Sequence, residues 1–106
     1  MATIDDFRKI EFKVAEIKEV QDHPNADRLY VVILDVGDKT KRVVAGIKSA
    51  YTKEELVGKQ VVLVDNLEPA ILRGVESQGM ILAASDETGL AIISPGKKMK
   101  LGSIVK

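Results

Sequence analysis

Cysteine and tryptophan are absent from this chain of 106 residues, and its aromatic side chains number four, Phe7, Phe12, Tyr30 and Tyr51. Without cysteine there is no disulfide, no thiolate zinc site and no cysteine nucleophile, a composition compatible with a reducing compartment. With so few rings, and with Phe12 and Tyr30 set among apolar residues, a protein that grips single strands by stacking bases is disfavoured. A single histidine, His23, followed by Pro24, reads as a turn residue and leaves nucleophilic catalysis without a base partnered by any recognisable motif. Asp22, Asp27 and Asp35 lack the spacing of a calcium loop, and the glycine patterns of phosphate loops and dinucleotide folds are missing. Neither a metal, a cofactor nor an enzymatic activity is therefore expected. The longest apolar runs, Val61 to Val64 and Ile81 to Ala84, are far too short to span a bilayer, and the start Met-Ala-Thr-Ile-Asp-Asp is acidic where a signal peptide is basic. A soluble protein of the cytoplasm is the expectation.

Net charge is also missing: 16 basic residues balance 16 acidic ones, so no overall field draws the chain to a polyanion. Local segregation can still do so. Lys39, Lys41, Arg42 and Lys48 share one stretch and Lys97, Lys98, Lys100 and Lys106 the tail, whereas Asp5, Asp6, Asp86 and Glu87 lie elsewhere. Hydrophobic residues make up 45% of the chain, enough for one core at this length, and no repeat or linker-like stretch divides residues 1–106, so one domain is expected. The missing linker favours a free-standing gene product over an excised tail.

Local signals along the chain favour strands. Thr3 caps a short helix running through Phe7, with Asp5 and Asp6 at its positive end. From Ile10 to Val20 the apolar alternation changes phase at Ile17, which fits either a bulged strand or a charged helix. His23 to Asp27 is turn chemistry. Leu29–Val36, a turn at Gly37-Asp38 and Thr40–Val44 read as a hairpin, and Thr52 to Glu55 is a capping box that opens a brief helix ended at Gly58. Val61–Val64 and Met80–Ala84 read as two more strands joined by a loop from Asn66 to Gly79; Leu90–Ile93 and Ser103–Val105 follow. Many short strands with two small helices predict an all-β chain closed into a small barrel.

The junction from Asn66 to Ala84 is the most telling segment, since a polar, glycine-punctuated loop leads straight into an apolar strand. Arg73, Ser77, Gln78 and Met80 would stand at the mouth of the core. Lysine, arginine, serine, asparagine and glutamine suit folded RNA, which is recognised by shape, phosphates and 2′-hydroxyls with little need for stacking.

These residues also carry a resemblance. His23-Pro24-Asn25-Ala26-Asp27-Arg28-Leu29-Tyr30, Val43 to Ile47, Tyr51 with Glu54-Glu55-Leu56 and Gly58-Lys59, and Asn66-Leu67 to Ala84 with its Ser77-Gln78-Gly79-Met80 segment resemble, in order and over nearly the whole chain, the tRNA-binding domain family. That family occurs as the C-terminal domain of methionyl-tRNA synthetases, as a free-standing tRNA-binding protein and in the cytokine-like synthetase cofactors of eukaryotes. The resemblance implies an oligonucleotide-binding (OB) fold, a five-stranded barrel with short helices and additional C-terminal strands. It implies binding to the outer corner of tRNA by shape, through Asn25, Arg28, Lys41, Arg42, Ser77 and Met80, with Asn66 and Arg73 as weaker carry-overs. Lys41 and Arg42 are neighbours on one strand, so they point to opposite faces. A homodimer is implied as well, through the first helix and the C-terminal strands, for which Ile4, Phe7, Leu90, Ile92, Ile93, Leu101 and Ile104 supply apolar surface. A further implied partner is the methionyl-tRNA synthetase catalytic chain. Two rival readings come from the same resemblance: a secretion-linked chaperone branch that binds unfolded polypeptides, and a dimerisation or assembly module of a synthetase.

Overall fold

The computed structural model describes all 106 residues. Helix α1 (Ile4–Arg8) opens with the expected box: the Thr3 hydroxyl accepts from Asp6 N–H, and the Asp6 carboxylate accepts from Thr3 N–H. Strand β1 (Phe12–Asp22) then settles the ambiguous segment as a bulged strand, with the register slipping between Ile17 and Glu19. The slip keeps Ala15 and Ile17 before it and Val20 after it on the core side despite the change of phase in the sequence.

β1 is the hub of the sheet. Its first half pairs with β4 (Gln60–Val64) on one side and β10 (Ile104–Val105) on the other; its second half pairs with β2 (Tyr30–Asp35). β2 runs back through the expected turn into β3 (Thr40–Ala45). Helix α2 (Lys53–Leu56) repeats the threonine box and stops at Gly58, whose φ of 90° only glycine adopts freely. β7 (Met80–Ile81) adds to the far side of β4, giving the order β3-β2-β1-β4-β7.

The segment from 66 to 84 differs from the sequence reading in two places. The expected loop contains its own hairpin, β5 (Ala70–Leu72) and β6 (Val75–Ser77). The expected strand from Met80 to Ala84 is split at Leu82, so that only Ile81 enters the core while β8 (Ala83–Asp86) turns outward and pairs with β9 (Gly89–Ile92) as an exposed ribbon. The cause lies in Leu82 N–H, which donates to Val62 O, while Leu82 O accepts from Ile93 N–H, so the chain changes partner there.

Alternation in β2 and β4 sends Val32, Leu34, Val61 and Leu63 into one cluster with Ala15, Ile17, Val43, Leu56, Ile81 and Ile92. Tyr30 joins that cluster and donates its hydroxyl to Tyr51 O at 2.9 Å, and Tyr51 in turn accepts Ile92 N–H at 3.0 Å, tying the ribbon to the barrel.

The barrel closes between β3 and the start of β7 by side chains that stand in for a strand. Gln78 N–H donates to Arg42 O at 2.8 Å, the Gln78 side-chain oxygen accepts Arg42 N–H at 2.9 Å, and the Ser77 hydroxyl accepts Val44 N–H at 2.9 Å. Gly79 follows because any Cβ there would lie 2.8 Å from Val64 O and 2.9 Å from Leu63 Cδ1.

Candidate functional site

The turn after β1 is built around the sole histidine. His23 is buried; its Nδ1 accepts Asn25 N–H at 2.9 Å, so the ring proton sits on Nε2 and is donated to Leu72 O at 2.9 Å. This is a turn residue that docks the 23–28 turn on the tip of the β5–β6 hairpin. Asn25 completes the dock, its side-chain amide donating to Arg73 O at 3.3 Å.

Arg73 and Gly74 form the two-residue turn of that hairpin, with φ values of 54° and 90°. Two positive φ angles mark a type I′ turn, for which Asn-Gly is the preferred pair, so an arginine in the first place holds a strained backbone. Of the four arginines, Arg8 and Arg42 take part in salt bridges, whereas the exposed Arg28 and Arg73 take part in none. Glu76, three residues from Arg73, lies against Arg42 at 3.8 Å, and Arg42 Nε donates to Glu76 O at 3.1 Å.

The structure thus sets Asn25 against Arg73 at the hairpin tip, leaves Arg28 exposed further along the turn that carries Asn25, and places Arg42 alongside β6. Met80 is half exposed, at 49%, on β7. Three other named residues have different surroundings. Ser77 is buried, accepts from Val44 N–H and donates to Gly79 O at 3.0 Å, so its hydroxyl is committed to closing the barrel. Asn66 accepts Glu11 N–H at 2.9 Å and donates to Lys9 O at 2.7 Å, fastening the end of α1 to the sheet. Lys41 is largely covered and turns away from Arg42, toward Asp65.

Asp65 is the residue that sequence reasoning missed. Its carboxylate is only 4% exposed and receives Lys41 at 2.7 Å on Oδ1 and Lys13 and Lys39 at 2.9 and 3.0 Å on Oδ2. Burial pushes this carboxyl up, but the ammonium groups of Lys41, Lys13 and Lys39 outweigh it and hold it well below the usual carboxylate range. An aspartate directly after four buried valine and leucine residues was the available signal.

Among the residues named for pairing, Ile4, Phe7, Ile93 and Ile104 are exposed, Leu90 and Leu101 are half-buried, and Ile92 belongs to the core of its own chain. Phe7 stacks on Phe12 at 5.4 Å, and with Ile10, Ile104 and Val105 they line an apolar groove of about 200 Å³. No cluster of histidine and acidic residues could hold a metal ion. No helix is long and apolar enough to cross a membrane.

The family model described as "Putative tRNA binding domain" matches residues 12–104. A methionine–tRNA ligase of Thermococcus kodakarensis is 53% identical over 104 residues, covering 98% of this chain and 14% of that enzyme, so the chain spans about a seventh of that relative's length. Among solved structures, a MetRS-related protein from Pyrococcus horikoshii superposes with a TM-score of 0.92 at 33% identity, covering 100% of this chain and 98% of that one. A CsaA chaperone protein from Picrophilus torridus does so with a TM-score of 0.93 at 30% identity, each chain covered in full. The barrel order, the match over residues 12–104 and these likenesses agree, and the chain belongs to the tRNA-binding domain family, with its OB-like barrel.

Proposed function

We propose that this chain binds tRNA by shape at the outer corner of the molecule, without catalysis of its own, in the cytoplasm. The observation that carries the reading is the hairpin tip, where the Asn25–Arg73 contact sets the 25–28 turn against the strained 73–74 turn and leaves two arginines with no acidic partner. A cation kept free of carboxylates, on a turn whose geometry is enforced from both sides, suits a phosphate better than it suits the fold. Arg42 adds a third cation once Glu76 is displaced, and Met80 offers a flexible side chain to a ribose or an exposed base. Ser77, Asn66 and Lys41 serve by holding this surface in place.

In association with a methionyl-tRNA synthetase, in cis or in trans, such a module raises the local tRNA concentration near an active site it does not contribute to. We also propose pairing of two copies through the groove between α1 and β10, where Ile4, Phe7 and Ile104 are exposed. An assembly role would use the same contact.

The chaperone reading has an observation of its own: Leu67, Ile71, Leu72 and Met80 are exposed on the same segment, Ile71 at 68%. Filter binding with intact tRNAs of several identities, an isolated anticodon stem-loop, single-stranded DNA and a denatured polypeptide separates the readings. Preference for intact tRNAs regardless of identity is the expected result. Binding of the polypeptide alone would overturn the proposal in favour of the chaperone branch.

A further inference from the structure

The lysine cluster at the end of β4 holds more positive charge than the fold requires. One buried carboxylate needs one close counter-charge, and Lys41 supplies it: its ammonium lies 2.7 Å from Asp65 Oδ1 as an ion pair and donates to the Asp65 and Gln78 carbonyls. Lys13 from β1 and Lys39 from the β2–β3 turn nevertheless converge on the other oxygen, Oδ2, at 2.9 and 3.0 Å. Their two ammonium groups cannot be farther apart than those two distances laid end to end, so they repel each other over a single acceptor. Each keeps two of its three protons undirected by that contact, and their side chains remain 23% and 40% exposed. The acidic groups nearby are weak compensation: Glu11 reaches Lys13 only at 4.0 Å and is itself mostly in water, and Asp38 acts on Lys13 only through space. Two partly exposed cations aimed at one spot, with no protein hydrogen bond beyond the shared Oδ2, make a seat for an anion of more than one oxygen.

We propose that Lys13 and Lys39, drawn together by Asp65, seat a backbone phosphate of bound tRNA. Lys41 links this seat to the segment at Gln78, so it extends the proposed surface past β7 toward the end of α1. The inference rests on tRNA binding as the function and adds a contact that lies apart from the arginines at the hairpin tip.

The test is the salt dependence of intact-tRNA binding to Lys13→Gln, Lys39→Gln and their double variant, with Lys97→Gln as a lysine outside the cluster. Each cluster variant should make the slope of log K against log salt shallower by about 0.7–0.9, and the double variant by about twice that, as two released counterions require. Lys97→Gln should behave like the parent, and so should Lys39→Arg, which keeps the charge. If the parent binds tRNA and the cluster variants keep its slope, the seat is wrong while the function stands; if the parent does not bind tRNA, both fall. Thermal shifts with inorganic phosphate form a second arm. Loss of the phosphate shift in the cluster variants together with an unchanged tRNA slope would assign the site to a free anion and overturn the proposal.

Discussion

Arg73 is under opposing demands. Its φ of 54° is unfavourable for a side chain with a Cβ, by about 1 kcal/mol, and nothing in the fold contacts its guanidinium as an ion pair. Arg73→Asn should therefore raise the urea midpoint, by an amount equivalent to about 0.5–1 kcal/mol, because Asn-Gly is the favoured pair for this turn. The same change should make the salt slope of tRNA binding shallower by about 0.7–0.9. A gain in stability coupled to a loss in binding is the signature of a residue kept for a ligand. Asp65 makes the opposite kind of contribution. Its folded-state pKa lies below the ordinary value of 3.8, so its stabilisation is complete above about pH 4 and is lost as the pH falls from there through the folded value. Acid unfolding followed by circular dichroism should show Asp65→Asn less stable than the parent at pH 7, by about 3–5 kcal/mol, with the gap narrowing as the pH falls below 4. A gap independent of pH would contradict the ion-pair account. The turn at Asn25 and the exposure of Arg28 and Arg73 were legible in the sequence because turn chemistry and an exposed cation are local properties. The cluster around Asp65 was not: Lys39 and Lys41 stand two apart on one stretch, but nothing local joins them to Lys13 or to Asp65, which lie 26 and 24 residues away from the nearer of the two.

Among the elements, the segment from 75 to 81 decides how the barrel closes. Regular β5–β6 pairing ends at Ser77, and Ser77 and Gln78 bond to β3 with a hydroxyl, an amide side chain and one backbone N–H. Ser77→Ala leaves the buried Val44 N–H without an acceptor, and denaturant unfolding should show a loss of about 1–3 kcal/mol while the salt slope of tRNA binding stays unchanged. Unaltered stability with weaker binding would instead make Ser77 a direct ligand. The strands β2, β3 and β4 were readable from alternation and flanking turns, as were both threonine boxes. The β5–β6 hairpin was not, because three-residue strands hold too few positions for a period, and all of β5 is exposed, leaving no inside and outside to alternate. Bulged β1 stayed ambiguous for a related reason: a phase change reads equally well as helix until the partner strand fixes the register.

At the scale of the whole molecule, the chain carries two distinct surfaces. One runs from the hairpin tip past Arg42 to Met80; the other is the apolar groove between α1 and β10, where Ile104 is 75% exposed. A barrel this small has no core use for that groove, and sedimentation at micromolar concentration should give a species of twice the 11.6 kDa chain mass, reduced to the monomer by Ile104→Glu. A parent sedimenting only as a monomer would rule out the pairing. The central claim is that the first surface receives tRNA. Amide chemical shifts of the labelled protein titrated with intact tRNA test it most directly: the largest changes should fall at residues 25–28, 42 and 73–80, with the 83–92 ribbon unaffected. Changes confined to α1 and the ribbon, or no change at all, would contradict the account.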